Sequence, residues 1–305
     1  MAATTFDADL AGKVISASAL EAFTDTLAPL NAFSTSFDTE AGQVGEKIVI
    51  PFISKFAASG STQVGTFTDG TTTYDTTGTT GADEATIDLD QHLYTSWELQ
   101  DLQATKFSVG QLERFGKQKG ADLAKAVFED VLEVVTAANY SDAVTVASGS
   151  FGLDDIADLR EKLVENGGDP SQSSLILNPA YFSALASQSS FQANTYGGTE
   201  VIKGGSFGSI LGIPNVYEST AIPSNSENLV GILAHPAAIG VAFRYLQPLN
   251  TGAYSRAERL SNEDGMTMGY RQFYLPEKGI EYAALEALYG KVKINDQAII
   301  RLTSS

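Results

Sequence analysis

The stretch Ser108–Asn139, SVGQLERFGKQKGADLAKAVFEDVLEVVTAAN, decides how the rest of the chain is read. Apolar side chains recur at Leu112, Phe115, Leu123, Val127, Val131 and Val134/Val135, the three-or-four spacing of a helix with one buried stripe. Ser108 supplies an N-terminal cap and Asn139 a stop. Gly110, Gly116 and Gly120 lie inside the pattern without ending it, each at about 1 kcal/mol against alanine. Such a helix spans roughly 45 Å. No other segment is both as long and as periodic, so the flanking β-rich regions are read as hung on it.

The chain on its N-terminal side is of two kinds. Residues 1–40 hold one amphipathic candidate helix, with Ile15, Ala19, Phe23, Leu27 and Leu30 on a face and Pro29 near its end. A lone helix of this length is marginal in water. It packs either on its own core or, as an arm, on another subunit. From Gly45 the pattern turns to strand: GEKIVIPFIS alternates, and Pro51 marks an edge. A Thr/Gly/Ser-rich passage from Ala57 to Ala82 follows, with Asp69-Gly70 as its hairpin signal. ATIDLDQHLYTSW then alternates back. Residues 46–98 therefore read as one extended hairpin, too long to bury both faces unaided. No Lys or Arg occurs from Phe56 to Thr105, whereas Asp69, Asp75, Asp83, Glu84, Asp88, Asp90, Glu98 and Asp101 are acidic.

Beyond the long helix the chain mixes short elements. LDDIADLREKLVENGG is a helix capped by Asp154 or Asp155 and stopped at Gly167-Gly168. SSLILNPAYFSALAS is a buried strand running into a helix with Pro179 in its first turn. LVGILAHPAAIGVAFR is strand-then-helix or strand-then-strand, and the chain from Gly265 onward is β-patterned or mixed. The class is α+β.

Composition excludes several functions. The 305 residues carry 19 basic against 37 acidic side chains, a net charge of −18, which argues against gripping nucleic acid through phosphate neutralisation. There is no cysteine, hence no disulfide, thiolate ligand or thiol nucleophile. The apolar content of 43% and mean hydropathy of −0.04 suit a soluble globular protein. MAATTFDADL lacks the features of a signal peptide, and the longest apolar run, Leu229 to Phe243, is too short for a bilayer.

Chemistry is sparse. GGSFG at Gly204–Gly208 fits the nucleophile-elbow pattern around Ser206, but Gly212 and Pro214 leave no room for the helix that motif needs. Its base would have to be His235 and its acid Glu218 or Glu227. His92 and His235 are far apart and do not form a metal-ligand cluster. Asp88-Leu-Asp90 places two carboxylates on one strand face, which a solvated edge explains. No Walker loop or dinucleotide fingerprint appears. No catalytic, metal or cofactor residue is assigned.

The order of elements resembles the major capsid proteins of tailed bacteriophages, with the fold named after phage Hong Kong ninety-seven. GEKIVIP is similar to the entry into that family's extended hairpin, the E-loop. SLILNPAYFSAL and FGSILGIPNVYESTAIP resemble parts of its axial domain. NLVGILAHPAAIGVAFR resembles a stretch that often carries His-Pro-Ala, and YGKVKINDQAIIRL the closing strand. The resemblance covers nearly the whole chain, and the order of weak motifs carries it. It implies an N-terminal arm (1–45), an E-loop hairpin (46–98), a peripheral domain (99–145 and 250–305) with spine helix 108–139, and a mixed α/β axial domain (146–249). It also implies self-assembly as pentamers and hexamers into an icosahedral shell around double-stranded DNA. A separate scaffolding protein and a portal would be partners, with assembly in the host cytoplasm, residence in the virion, and no membrane. A family crosslink would cast Lys55 and Asn295, although nothing local supports it. Encapsulin-type compartments share the fold and are the alternative. A β-rich surface or tail protein is the second.

One charge pattern adds an expectation. Arg114, Lys117, Lys119 and Lys125 crowd the first half of the long helix and Glu129, Asp130 and Glu133 the second, opposite to the dipole preference. The resemblance lays the E-loop over a neighbour's spine helix. The acids Asp69, Asp75, Asp83, Glu84, Asp88 and Asp90 are therefore expected over the basic half of the next subunit. The arm and the E-loop are both expected to bury against neighbours.

Overall fold

The computed structural model describes residues 8–35, 47–53, 66–68, 71–73, 82–100, 109–188, 207, 209–248, 250–262 and 265–305. In chain order its elements are helix α1 (Ala8–Thr26), strands β1 (Lys47–Ile53), β2 (Thr66–Thr68), β3 (Thr71–Thr73), β4 (Ala82–Asp88) and β5 (Gln91–Gln100), and helix α2 (Val109–Leu132). There follow β6 (Ala143–Thr145), α3 (Leu153–Glu165), β7 (Ser174–Leu177), α4 (Pro179–Ala186), β8 (Asn215–Glu218), β9 (Leu229–Ala234) and β10 (Ile239–Arg244). The last four are β11 (Arg256–Ser261), β12 (Thr267–Leu275), β13 (Ile280–Lys293) and β14 (Ile299–Thr303).

Two five-stranded sheets organise these elements. In the first, β5 takes one side of β13, the other side is shared by β12 along residues 280–286 and β10 along residues 288–293, and β11 lies beyond β12. The second runs β6-β14-β9-β7-β8, with β6–β14 and β7–β8 parallel and the other pairs antiparallel. The ambiguous stretch around His235 is strand-then-strand, and the turn at residues 235–238 carries the chain from β9 in the second sheet to β10 in the first. Sheet membership therefore cuts across sequence ranges: β10 joins the first sheet, and β14, near residue 300, the second.

α2 lies on the first sheet, with α1 beside it. Leu112, Leu123, Val127, Phe128 and Val131 of α2 are buried with Ile15, Ala19 and Phe23 of α1 and with Trp97, Tyr270 and Leu285 of the sheet. The helix ends at Leu132, short of Asn139. From there Asn139 Nδ2 donates to the Val134 carbonyl at 2.8 Å, a side-chain bond that replaces a further helical turn. Gly116 and Gly120 have a packing reason. A Cβ on Gly116 would lie 2.7 Å from the Ile15 carbonyl oxygen, and one on Gly120 would lie 2.9 Å from the Ala19 Cα. The two glycines let the helix backbones touch.

Of the two packings read for the N-terminal helix, the structure has the one on its own chain. Phe23, Leu27 and Leu30 are fully buried against the same subunit. The hairpin reading is corrected. β1 and β4 pair from Lys47↔Asp88 to Ile53↔Ala82, and β2–β3 pair Thr68↔Thr71 around Asp69-Gly70. After Asp88 the chain leaves the hairpin, and 91–100 becomes a strand of the body against β13. Trp97 drives this, buried edge-on against Phe115 with ring centroids 5.4 Å apart. The base of the hairpin also has an in-chain partner: Ile48, Ile50, Ile87 and Leu89 cluster on Ala242.

The second sheet builds its own core. Ile156, Leu159 and Leu163 of α3 and Tyr181 and Leu185 of α4 bury against Leu175, Leu177, Leu233, Ile300 and Leu302. α3 starts where Asp155 accepts from the Gly152 amide at 2.7 Å, and Gly167 at φ +84° stops it. Asn178 caps α4 by accepting from the Tyr181 amide at 3.0 Å, with Pro179 first in the helix.

Candidate assembly surfaces

The basic half of α2 is partly engaged within the chain. Lys117 Nζ is 3.1 Å from Glu21 on α1 and 3.5 Å from Glu113 one turn back. The hydrogen bond and charge of Glu21 raise the Lys117 pKa. Lys119 lies over the Phe115 ring, 5.7 Å from its centroid. Arg114 and Lys125 are exposed. Lys125 lines a cleft of about 470 Å³ with Asp25, Asp122 and Glu218, between the end of α1, the middle of α2 and β8.

The acidic half has its own explanation. Asp130 accepts from the Tyr289 hydroxyl at 2.6 Å and pairs with Lys291 at 2.8 Å. Both partners stand on β13. An acid placed against the helix dipole is thus held by the sheet beneath it. Burial, then the bond to Asp130, pushes the Tyr289 phenol far up. The charge pattern does not by itself require another subunit, because Glu21, Tyr289 and Lys291 answer part of it inside one chain.

Of the hairpin acids, Asp69 and Asp75 lie outside the described residues. Asp83 and Glu84 stand in β4 opposite Phe52 and Pro51, their side chains likewise outside the description. Asp88 and Asp90 are exposed at the foot of the hairpin, and Gln91 Nε2 donates to Asp90 at 2.9 Å.

A joint that sequence reading missed closes the end of α2. Asn225 Nδ2 donates to the Leu132 and Val135 carbonyls at 3.0 and 2.6 Å. The Ala137 amide donates to both Glu227 carboxylate oxygens, at 3.0 and 2.9 Å. Arg301 of β14, almost fully buried, donates to Glu227 at 2.7 Å and through Nε to the Tyr140 carbonyl at 2.6 Å. Asn225, Ser226 and Asn228 all have left-handed backbones, φ 49°, 56° and 54°. Such strain persists only where surroundings hold it. The joint fastens the spine helix to the second sheet. Its only sequence signal is the run Ser224–Asn228, SNSEN, rich in residues that tolerate that conformation.

Of the residues weighed for catalysis, Glu227, His235 and His92 fall into structural roles. Glu227 is spent on the joint. His235 Nδ1 accepts from the Ala237 amide at 3.2 Å in its turn, and His92 Nε2 is 3.3 Å from Glu286 on β13. Ser206 and Lys55 lie outside the described residues. Asn295 is buried, with its Oδ1 accepting from the Gln297 amide at 3.0 Å, so it does not present itself for a crosslink. Among the described residues no helix is long and apolar enough to cross a membrane.

No protein-family model matches the sequence, and no curated protein resembles it. Solved structures do. A capsid structure of cyanophage P-SCSP1u superposes with a TM-score of 0.62 over 90% of this chain and 86% of that one, at 13% identity. The mature capsid of bacteriophage PhiM1 gives 0.57 over 90% and 86%, at 12% identity. A virus-like particle from Pyrococcus furiosus gives 0.53 over 94% and 97%, at 15% identity.

The fold is that of phage capsid subunits. In this chain α1 and the long helix lie together on the first sheet, the base of the hairpin packs on β10, and Asn225, Glu227 and Arg301 tie the end of the long helix to the second sheet.

Proposed function

We propose that this chain is a major capsid protein, whose copies assemble as pentamers and hexamers into an icosahedral shell enclosing double-stranded DNA. The observation that carries the reading is reciprocal coverage: the match to a phage capsid structure takes in 90% of this chain and 86% of that one, leaving no large part of either for another task. The residues support a structural role, with His92, Glu227 and His235 committed to holding the chain together. Its place is the virion, with a separate scaffolding protein and a portal as partners. The net charge of −18 suits a container that holds DNA without binding it tightly.

The hairpin acids Asp88 and Asp90 then rest over Arg114, Lys119 and Lys125 of a neighbour, with Lys117 already engaged by Glu21. Exposed pairs are worth about 0.2–1 kcal/mol each, yet repeated around a shell they set register and make assembly salt-sensitive.

A compartment for protein cargo is the second reading, since the chain matches a virus-like particle from Pyrococcus furiosus over 94% and 97% as well as phage capsids. Electron microscopy of purified protein, followed by nuclease digestion and mass spectrometry of the contents, tests both. Closed shells holding nuclease-protected DNA support the first reading and shells holding a defined protein the second. The absence of shells refutes both.

A further inference from the structure

Both β12 and β5 pair with residues 280–286 of β13, so they take opposite sides of it, and β11 lies beyond β12. β5 and β11 are therefore opposite margins of the first sheet, and among the described residues each has a single partner strand. An unpaired margin is a row of N–H and C=O groups that recruits another strand unless Lys, Pro or a bulge blocks it. The β5 sequence, QHLYTSWELQ, contains no Lys, Arg or Pro. Its register against β13 runs unbroken over Gln91–Gln100, and Tyr94 in its middle is 65% exposed. Glu98 is the one acidic residue of β5, and no Lys, Pro or bulge interrupts the edge.

β11 differs. Its six residues, RAERLS, carry Arg256, Glu258 and Arg259, and Arg256 and Glu258 pair with each other. Such a margin disfavours an indiscriminate strand and suits an acidic one. β5 carries Glu98 and is preceded by Asp88 and Asp90. Direction also agrees. Three successive antiparallel pairings from β5 to β11 leave the two margins running oppositely, so a second copy placed alongside in the same orientation presents β5 antiparallel to β11.

We propose that the first sheet continues from copy to copy, the β5 edge of one chain pairing antiparallel with the β11 edge of the next. Two different surfaces meet in such a contact, which closes into rings when the rotation allows. The proposal rests on the shell reading and names a contact within it.

The absence of cysteine makes a direct test available. Within one chain the margins are three strand spacings apart, about 14 Å, beyond the roughly 7 Å Cα separation that a disulfide spans. Any disulfide between them therefore joins two copies. Tyr94→Cys is combined in turn with Ala257→Cys, Arg259→Cys and Ser261→Cys, and assembled particles are oxidised. In at least one register the expected product is a ladder of covalent dimers, trimers and larger rings, absent from each single-cysteine variant. In the wild-type protein, amide exchange across 91–100 and 256–261 should slow about tenfold or more in shells relative to unassembled subunits. Shells whose amides in both segments exchange as in free subunits, or that yield no ladder in any register, overturn the edge pairing and leave the shell reading standing. Wild-type protein that forms no shells overturns both.

Discussion

Gly120 of α2 and Ala19 of α1 meet backbone to backbone, so close that a Cβ on Gly120 would lie 2.9 Å from the Ala19 Cα. The approach joins the N-terminal helix to the long helix with no side chain between them. Gly120→Ala should destabilise the subunit by about 1–3 kcal/mol, the usual cost of overpacking. Gly110→Ala is the control. That glycine sits exposed near the helix start with nothing within 4 Å of a Cβ, so alanine should stabilise by about 0.5–1 kcal/mol. Urea unfolding of both variants measures the signs. Equal effects would refute the close-approach account.

The Asn225 joint separates two contributions. Asn225→Ala loses both bonds to the helix-end carbonyls and keeps an unfavourable left-handed backbone, at a cost of about 2–4 kcal/mol. Asn225→Gly loses the same bonds but relaxes the backbone, and should cost roughly 1–2 kcal/mol less than alanine. The same unfolding measurement ranks them. If alanine is the better tolerated, strain at this loop is not held by the helix end.

Alkaline stability follows from three buried phenols. Burial raises the pKa of Tyr140, Tyr270 and Tyr289 above the ordinary 10.0. Above that pH the unfolded chain releases these protons while the folded chain keeps them. Stability is therefore whole below pH 10 and falls as pH rises past it, by about 1.4 kcal/mol per pH unit for each phenol. Tyr270→Phe should flatten the slope between pH 10 and 11, by up to about 1.4 kcal/mol per pH unit. An unchanged slope would show that Tyr270 ionises in the folded chain as readily as in water.

For contacts between copies, Arg114→Glu with Lys125→Glu should slow shell formation at low salt. Both side chains are exposed, unlike Lys117, whose reversal would also break its pair with Glu21. Asp88→Lys with Asp90→Lys should restore part of the loss. Light scattering across a salt series reads the outcome, and rates indifferent to both charge and salt would remove these residues from the interface.

The long helix, the strand at Lys47–Ile53 and the Pro179 helix were legible because apolar spacing, Pro and caps are local signals. Where residues 91–98 belong was not, since alternation reads the same in a hairpin and in a body sheet. Only burial of Trp97 against Phe115 decides it. The partner of α1 was hidden for a related reason. Gly116 and Gly120 read as a cost to one helix until Ile15 and Ala19 of the other stand against them. The charge pattern on α2 invited a neighbour because Lys291 and Tyr289, some 160 positions away, are invisible from Asp130. The joint at Asn225 joins three distant segments, and no spacing announces it.

β14 lies between β6 and β9 in the second sheet, although it is made of residues 299–303. During synthesis, β6 and β9 both leave the ribosome before the strand that joins them. Until then Leu233 and Leu175 have no Ile300 or Leu302 to pack on, and Glu227 has no Arg301. A chain broken off before residue 299 therefore leaves β6 with no partner strand in this sheet and Glu227 without its buried arginine.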